Sequence, residues 1–259
     1  RGASIEAVAR EARYRLLAGS LRRGEILLTA HHVDDQLETL LLQLMRGAGV
    51  AGLAAMPAVA RFGRAGWLLR PLLGERRRSL SDWVAGRGLA WVEDESNADP
   101  RFDRNYLRHR VVPALEARWS AAARVAARSA AHLADARAVL DEVAAGDLAT
   151  VARGRALDVA ALQALSAARR RLVVRAWLLG RRLPLPDSRH LARIVGELCA
   201  ARRDAQPCVR WDGAEVRRYR GRLHAVAPLP AQGSQAERDW DWRRPRPPAR
   251  REGRGEPAL

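Results

Sequence analysis

The feature that most constrains the fold of this chain is a short apolar run that ends in a dense polar cluster. The run Ile26–Ala30 has the composition of a buried strand, and the stretch His31-His32-Val33-Asp34-Asp35-Gln36-Leu37-Glu38-Thr39 follows it directly. Open α/β sheets bind their ligands at the carboxyl ends of their strands. Packing alone does not require two imidazoles, three carboxylates and an amide at such a point. The cluster therefore predicts a functional site where a strand gives way to a helix.

The order of the predicted elements indicates an α/β fold. A helix over residues 4–20 precedes a strand over 25–30, and the next helix runs through 40–46. A short strand near 67–70 and a helix over 75–86 follow. Helices that alternate with strands favour a parallel sheet. We therefore predict a partial Rossmann-like parallel sheet, followed by a mainly helical domain with a small β element.

Composition and periodicity divide the chain into three segments. Residues 1–119 form the predicted α/β domain, and 120–228 form the helical domain, which begins with a long alanine-rich helix and ends in short strands. Residues 229–259 are rich in proline and arginine and have no periodicity. We expect this tail to be disordered or to be the start of a further module.

The charge of the chain favours a polyanionic partner. The formal net charge is +17, and all 46 basic residues are arginine. Such a surplus indicates nucleic acid or an anionic membrane surface. A membrane role requires a span of roughly 18 apolar residues or a basic amphipathic helix, and the sequence has neither. Because it also lacks a signal-peptide pattern, we predict a cytoplasmic protein that is not bound to a membrane.

Asp35 and Glu38 are the strongest candidates for chemistry in the polar cluster. They are three residues apart, so they share one helix face near the N-terminus. Two carboxylates in this position are suited to a cationic ligand, to Mg²⁺ or to acid/base catalysis. A purely structural alternative makes Asp34 or Asp35 the helix cap. A transition-metal site is a further alternative, although the histidines outside the cluster lie in no matching motif.

A second cluster combines an acidic loop with inward-facing arginines. Acidic residues crowd positions 93–99, and Arg104 and Arg108 follow among apolar residues. This apolar frame suggests that the two arginines point at something negative, and arginine is suited to holding phosphates. A salt-bridged surface loop is the alternative.

Taken in order, six motifs resemble the tRNA(Ile)-lysidine synthase family, which belongs to the N-type ATP pyrophosphatases. They cover about residues 4–119: Ile5-Glu6-Ala7 with Arg13-Tyr14, His31-His32-x-Asp34-Asp35-Gln36-x-Glu38-Thr39, Met45-Arg46-Gly47-x-Gly49-x-x-Gly52-Leu53, Arg70-Pro71-Leu72-Leu73, Trp91-x-Glu93-Asp94-x-Ser96-Asn97 and Asp103-Arg104-Asn105-x-Leu107-Arg108. The stretches 166–175 and 217–219 resemble the family's substrate-binding domain.

The resemblance implies an adenine nucleotide α hydrolase-like fold and a ligase that uses ATP with Mg²⁺. Its substrates would be L-lysine and the tRNA(Ile) with a CAU anticodon. ATP would adenylate the oxygen on carbon 2 of the wobble cytidine, and the ε-amine of lysine would then displace AMP to form lysidine. The implied catalytic residues are His32, Asp35, Glu38, Arg104 and Arg108. The implied substrate-binding residues are His31, Asp34, Gln36, Asn105 and Arg70.

One departure from the family pattern concerns the nucleotide loop. The family opens with a strand and Ser-Gly-Gly-x-Asp-Ser, whose backbone N–H groups cradle pyrophosphate, and this motif is absent from the sequence. We therefore expect that the chain is a fragment from which about 100 N-terminal residues are missing, the length of a typical domain. We also expect that it does not bind ATP productively by itself.

Several alternatives stay open at this point. One is a non-catalytic RNA-binding remnant, and another is a related tRNA thiolase. Against the thiolase, Cys199 and Cys208 do not form the cysteine pair that sulfur transfer usually requires. Arg217, Arg218 and Arg220 are compatible with RNA contact or with a solvated strand face. The oligomeric state is also open, with a homodimer among the possibilities.

Overall fold

The computed structural model describes residues 5–227, except 23, 64, 65, 93, 203, 204 and 206. Described residues of Arg1–Thr150 and Ser166–Ala176 form one compact unit, and those of Val151–Leu165 and Trp177–Leu259 form a second. The predicted segments 1–119 and 120–228 stay predictions, and the predicted tail 229–259 lies outside the described residues.

Short strands and longer helices alternate through the first half of the chain. In order, the elements are α1 (Ile5–Ser20), β1 (Ile26–Leu28), α2 (Val33–Met45), α3 (Val50–Leu53), β2 (Val59–Phe62), β3 (Gly66–Leu69), α4 (Arg77–Ala85), a 3₁₀ turn (Glu95–Ala98), α5 (Asp103–Tyr106), a π-helical turn (Leu107–Val111), α6 (Val112–Arg118) and α7 (Ala122–Val151).

The sheet of the first unit contains the two predicted strands and one that was not predicted. Strands β1 and β3 pair in parallel, with Ile26 opposite Trp67, which confirms the predicted parallel pair. Strand β2 joins β3 on the other side and runs antiparallel to it. The sheet is therefore mixed rather than all parallel. Only three residues separate β2 from β3, and so short a connection can join only antiparallel strands.

Helix α2 is anchored by one apolar face. Val33 and Leu37 are 2% and 4% exposed, and they form a cluster with Val112 of α6 and Ala123 of α7. Their spacing of four residues places both side chains on the same side of the helix. The opposite side of the first turns of α2 is polar, and its side chains can therefore form a site.

The second unit packs helices against an antiparallel sheet. Its sheet has the strand order β4-β5-β8-β7-β6. The elements that follow α7 are β4 (Ala152–Arg153), β5 (Ala156–Asp158), α8 (Val159–Ala164), α9 (Ala167–Gly180), α10 (Ser188–Arg193), a π-helical turn (Ile194–Leu198), β6 (Cys208–Trp211), β7 (Ala214–Tyr219) and β8 (Arg222–Val226). Of these, α9 belongs to the first unit as far as Ala176.

The sequence predicted three of the five strands of this sheet. Strands β6, β7 and β8 match the expected short strands, whereas β4 and β5 were missed because they have only two and three residues. The core of the unit includes Leu157, Leu162 and Ile194, all fully buried. Within the described residues, no helix is long and apolar enough to cross a lipid bilayer.

Truncating Leu223 tests the packing of the second unit. Leu223 of β8 is completely buried, whereas Val226 on the same strand is 43% exposed. We expect Leu223→Ala to lower the free energy of unfolding by about 3 kcal/mol, because it leaves a cavity in a close-packed core. The matched Val226→Ala should change it by less than about 0.5 kcal/mol. Urea unfolding of the two variants measures both values, and equal losses would contradict this core assignment.

Candidate active site

The site begins at the junction between β1 and α2. The N-cap of α2 is His32, with extended backbone angles (φ −125°, ψ 178°). Its Nδ1 accepts a hydrogen bond from the Asp35 backbone N–H at 3.3 Å, and Asp35 Oδ2 accepts one from the His32 N–H at 2.9 Å. This reciprocal pair is a capping box. It requires an unprotonated Nδ1, which places the proton of a neutral ring on Nε2.

The structural alternative, in which Asp34 or Asp35 is the N-cap of α2, is therefore wrong. The helix starts earlier, at Val33, and both aspartates lie in its first turn. An imidazole can replace the usual cap residue because its Nδ1 reaches the backbone N–H as a carboxylate oxygen does. In the first turn, the aspartates interact favourably with the positive end of the helix dipole.

Glu38 is the most deeply buried charged residue of the site. It is 2% exposed, and Arg108 forms a fork with it: Nε donates to Oε1 at 2.7 Å and Nη2 donates to Oε2 at 3.0 Å. Arg104 Nε lies 3.3 Å from Oε2, and Arg104 Nη2 donates to Thr39 Oγ1 at 3.0 Å. One carboxylate thus holds both arginines that the sequence predicted to point inward.

Asp35 adds a second, weaker negative contact. Its Oδ1 lies 3.4 Å from Arg108 Nη2, and the residue is 7% exposed. Burial by itself lowers the pKa of Arg108, but the hydrogen bond to Glu38 and the charges of Glu38, Asp35 and Asp34 together raise this pKa above its ordinary value. Arg108 is therefore a permanent cation in the site.

A change of helical register positions these arginines. Arg104 lies in α5 and Arg108 in the π-helical turn that follows it. Pro113 at the start of α6 has no N–H to donate to the carbonyl of residue 109, which favours the wider turn. Such π-bulges occur frequently at functional sites.

The acidic loop is fastened to the arginine helix. Asn105 Nδ2 donates to the carbonyls of Ser96 and Asp99 at 2.8 and 2.9 Å. His109 Nε2 lies 2.9 Å from the carbonyl oxygen of Asn97. Hydrogen bonds that Asp94 accepts from the side chain and then the backbone N–H of Ser96 lower the pKa of the Asp94 carboxyl. The loop is therefore attached to the arginine helix at three carbonyl groups and presents a charged carboxylate.

Other predicted substrate-binding residues have structural contacts. Gln36 uses both ends of its amide: Nε2 donates to the Met56 carbonyl at 2.7 Å, and Oε1 accepts from the Met56 N–H at 2.9 Å. Arg70 Nη1 donates to the Pro57 carbonyl at 2.7 Å. Together they hold the loop that follows α3, in which Ala55 has a positive φ of 51°. Their predicted substrate contacts stay predictions.

Asp34 contacts the start of helix α4. Its Oδ2 accepts from the Arg77 N–H at 2.8 Å, and its Oδ1 lies 3.1 Å from Arg76 Nη2. These bonds tie the first turn of α2 to the first turn of α4. Asp34 therefore connects two helices, and a role in binding substrate stays a prediction.

Two cavities adjoin the site, and the consecutive histidines line different ones. His31, whose Nδ1 lies 2.9 Å from Thr29 Oγ1, lines a cavity of about 540 Å³ together with Arg13, Arg104 and Arg108. His32 lines a cavity of about 530 Å³ together with Trp91 and His109. Asp94 and Asn97 contribute to both. One cavity is thus rich in guanidinium groups, and the other combines an indole with polar groups.

The structure brings the predicted catalytic residues together, but the sequence-based prediction left out some residues that line the cavities. The structure places all five predicted catalytic residues within one connected group of contacts: His32, Asp35, Glu38, Arg104 and Arg108. Arg13, Tyr14, Asp94 and His109 were not among the candidates, although all line a cavity. Three of them belong to motifs already noted in the sequence, so those motifs were the signal that could have identified these residues.

Neutralising Glu38 tests the central ion pairs. In Glu38→Gln, two partly buried guanidinium groups lose their counter-charge, and we expect a loss of roughly 3 kcal/mol in the free energy of unfolding. The control is Asp82→Asn in α4, because the Arg78–Asp82 pair is exposed on both sides and contributes only about 0.3–0.5 kcal/mol. Chemical unfolding measures the loss of unfolding free energy in each of the two variants. A Glu38→Gln variant as stable as the control would contradict this description of the site.

Comparison with known proteins identifies two domain families in the chain. A PP-loop domain family matches residues 1–115, and the TilS substrate binding domain family matches residues 157–224. The tRNA(Ile)-lysidine synthase of Shigella flexneri is 46% identical over 232 residues, which cover 89% of this chain and 54% of that protein. The enzymes of that name from Escherichia coli O157:H7 and Alkalilimnicola ehrlichii are 48% and 47% identical over 86% and 94% of this chain, and over 52% and 55% of their own lengths.

The chain thus spans about half the length of the curated relatives it matches. Within that span, the PP-loop domain precedes the substrate binding domain. The chain therefore belongs to the family of the tRNA(Ile)-lysidine synthases.

Proposed function

We propose that this chain is part of an enzyme that joins L-lysine to carbon 2 of the wobble cytidine in the tRNA(Ile) with a CAU anticodon. In the first step, the oxygen on carbon 2 attacks the α-phosphorus of ATP and pyrophosphate leaves. In the second step, the ε-ammonium group of lysine gives up one proton to solvent and its nitrogen attacks carbon 2. AMP leaves with that oxygen, and the nitrogen loses a second proton and keeps one. The observation that carries the proposal is the group of fixed arginines and carboxylates beside the two cavities.

The arginine-rich cavity is suited to the phosphates of ATP. Arg13, Arg104 and Arg108 all line it, and guanidinium groups that are already oriented stabilise negative charge without reorganisation. Arg108 is held by Glu38 in a fork, so its position is fixed before a ligand binds. We assign Arg104 and Arg108 to the charge that develops at the α-phosphate.

The other cavity is suited to the cytosine base. Its wall includes Trp91, on which a base can stack, and the polar side chains His32, Asn97 and His109. Recognition of an unpaired base usually combines an aromatic face with hydrogen bonds to the base edge. With its Nδ1 occupied by the helix cap, His32 has an Nε2–H for donation to the substrate.

Asp35 is the carboxylate we assign to the lysine ammonium group. Glu38 is paired with two arginines, whereas the contact between Asp35 Oδ1 and Arg108 is longer, at 3.4 Å. Asp35 thus retains more capacity to accept a hydrogen bond from a cation. Glu38 acts mainly by positioning Arg108 and Arg104.

Magnesium enters this proposal only with ATP. Among the described residues, no group of three or more His, Cys, Asp or Glu side chains is arranged to hold a metal ion. Mg²⁺ is commonly held by substrate phosphates and one or two carboxylates, so we assign it no dedicated protein site. We further propose tRNA as the polyanion that the net charge of +17 attracts, and the cytoplasm as the place of action.

The Asp35→Asn variant of the full-length protein tests the proposed chemistry. Asparagine keeps the oxygen that accepts from the His32 N–H, so the cap of α2 survives while the charge is lost. We expect the transfer of lysine to fall by at least about 100-fold, as for loss of a positioned catalytic group, with tRNA affinity nearly unchanged. Mass spectrometry of nucleosides measures lysidine, and filter binding measures affinity. Equal losses of both would point to a folding role.

The Arg104→Ala variant separates the two steps. Because we assign Arg104 to the α-phosphate, tRNA-dependent release of pyrophosphate should fail first, before any effect on the transfer step is visible. Release at the normal rate would remove Arg104 from this role. A full-length protein that binds the tRNA but never releases pyrophosphate would instead favour the alternative of a non-catalytic RNA-binding protein.

A further inference from the structure

Asp94 lines both cavities of the candidate site. Of the described residues, only Asp94 and Asn97 contribute to the cavity that contains Trp91 and also to the cavity that contains Arg104 and Arg108. Asn97 is neutral, so Asp94 is the charged group that the two cavities share. Among the described residues that line either cavity, Asp94 is also the only carboxylate. Its position therefore calls for a role that neither the arginines nor the histidines can fill.

Local hydrogen bonds hold the Asp94 side chain in place. Asp94 is the N-cap of the 3₁₀ turn Glu95–Ala98, with extended backbone angles (φ −77°, ψ 117°), and its Oδ1 accepts from the Ser96 backbone N–H at 2.9 Å. Such a bond to the residue two positions further on is an Asx turn, which fixes the side chain against its own backbone. The bonds from Asn105 and His109 attach the same loop to the helical segment that carries the arginines. The carboxylate is therefore oriented before a ligand binds.

The charge of Asp94 is available to a ligand. Hydrogen bonds from the side chain and then the backbone of Ser96 lower the pKa of the Asp94 carboxyl, so it is ionised at neutral pH. Among the described residues, no cation contributes to this lowering of the pKa. Glu38 differs in this respect, because Arg108 and Arg104 already neutralise it. Asp94 therefore presents a negative charge that the described part of the site does not compensate.

The first step of the proposed reaction creates a positive charge on the base. As the oxygen on carbon 2 forms its bond to the α-phosphorus, the bond to pyrophosphate breaks and its electron pair leaves with pyrophosphate. That oxygen carries no proton that it could release. The cytosine ring is therefore left as a cation, with its charge spread over the ring and its nitrogens. A site that accelerates this step has to stabilise positive charge on the base as well as negative charge on the phosphates.

The two cavities place this charge next to Asp94. With the base in the cavity of Trp91 and the α-phosphate in the cavity of the arginines, the bond between them forms beside residues that line both. Arg13, Arg104 and Arg108 have the sign that suits the phosphates, and the same sign opposes a cationic ring. A fixed carboxylate has the opposite effect, since an oriented charge stabilises a developing charge of the other sign without reorganisation. Asp94 thus has the sign and the position that the base requires.

We propose that Asp94 is a catalytic residue of the adenylation step, in which its carboxylate contacts the cytosine ring and stabilises the positive charge that develops there. This assignment rests on the proposed function. It gives the base a fixed charge of opposite sign, as Arg104 and Arg108 do for the α-phosphate. The alternative role for the same carboxylate is to hold the lysine ammonium group. The two roles affect different steps, so kinetics can separate them.

The Asp94→Asn variant of the full-length protein tests this role. Asparagine keeps an oxygen that accepts from the Ser96 N–H, so the turn survives while the charge is lost. We expect tRNA-dependent release of pyrophosphate at saturating substrates to fall about 10- to 100-fold, less than for a buried group because Asp94 is exposed. The KM values for ATP and tRNA should not rise, because losing a carboxylate does not weaken the binding of anions.

The matched control is Asp99→Asn. It removes the same charge from the same loop, where Asp99 pairs with the exposed Arg101, and Asp99 lines neither cavity. We expect this variant to release pyrophosphate at the wild-type rate. Equal losses in the two variants would reflect the overall charge of the loop and would overturn the proposal.

Two further results would contradict the role of Asp94. Normal release of pyrophosphate by Asp94→Asn, together with a raised KM for lysine, would assign the carboxylate to the lysine ammonium group instead. Asp94→Glu keeps the charge on a longer side chain and should recover part of the rate. A folded Asp94→Glu variant as slow as Asp94→Asn would show that the turn matters and the charge does not. Thermal unfolding checks that each variant is folded.

Binding of a cationic base tests the same contact without turnover. 3-Methylcytidine carries a positive ring charge at neutral pH, and it can replace the wobble cytidine in the tRNA(Ile) with a CAU anticodon. Filter binding measures the affinity of the wild type, Asp94→Asn and Asp99→Asn for both tRNAs. The steric effect of the methyl group is common to all three proteins, so changes in the ratio of the two affinities report the charge. We expect the ratio of the affinity for 3-methylcytidine to that for cytidine to fall about 3- to 5-fold in Asp94→Asn alone.

These measurements also separate this inference from the proposed function. If the wild-type protein binds the tRNA but forms no lysidine, the proposed activity fails, and the affinity ratios still decide whether Asp94 meets the base. If lysidine forms and Asp94→Asn releases pyrophosphate normally, the proposed function stands and the role of Asp94 is wrong. Equal affinity ratios in the three proteins would also overturn that role.

Discussion

The candidate site depends on one buried carboxylate, that of Glu38. A charge that is 2% exposed is strongly unfavourable unless it is paired and hydrogen-bonded. The Arg108 fork and the nearby Arg104 provide that compensation, and they lie 70 and 66 residues further along the chain. Glu38 is therefore the main link between the start of α2 and the α5 to π-turn segment, to which Asp35 and Thr39 add further contacts. Asn105 fastens the acidic loop to the same segment.

The same principle recurs in the second unit. There Glu215 is buried and holds Arg210 and Arg217, as Glu38 holds Arg108 and Arg104. In each case a carboxylate restricts guanidinium groups that would otherwise be mobile. In the candidate site, less conformational entropy is therefore lost when they bind an anion. A chain whose basic residues are all arginine can use this arrangement repeatedly, since the guanidinium fork matches carboxylates and phosphates alike.

Much of this architecture could be predicted from local patterns. The apolar run before His31 indicated β1, and the shared helix face of Asp35 and Glu38 placed both near one site. The sequence also suggested that Arg104 and Arg108 face inward. Their partner was not predictable, because a contact between Glu38 and Arg108 has no local signal. His32 was missed as the cap because imidazole is an uncommon N-cap. Strand β2 was missed because apolar and polar residues do not alternate clearly in its four-residue sequence.

The central claim is that Glu38 and Arg108 stabilise each other and thereby hold the site together. A double-mutant cycle with Glu38→Gln, Arg108→Met and the double variant, read out by urea unfolding, tests it most directly. Contacting charged groups in one network show coupling of about 0.5–3 kcal/mol, and burial places this pair near the upper end, at about 2 kcal/mol or more. Losses that add within about 0.5 kcal/mol would show that the two residues act independently and would contradict the account.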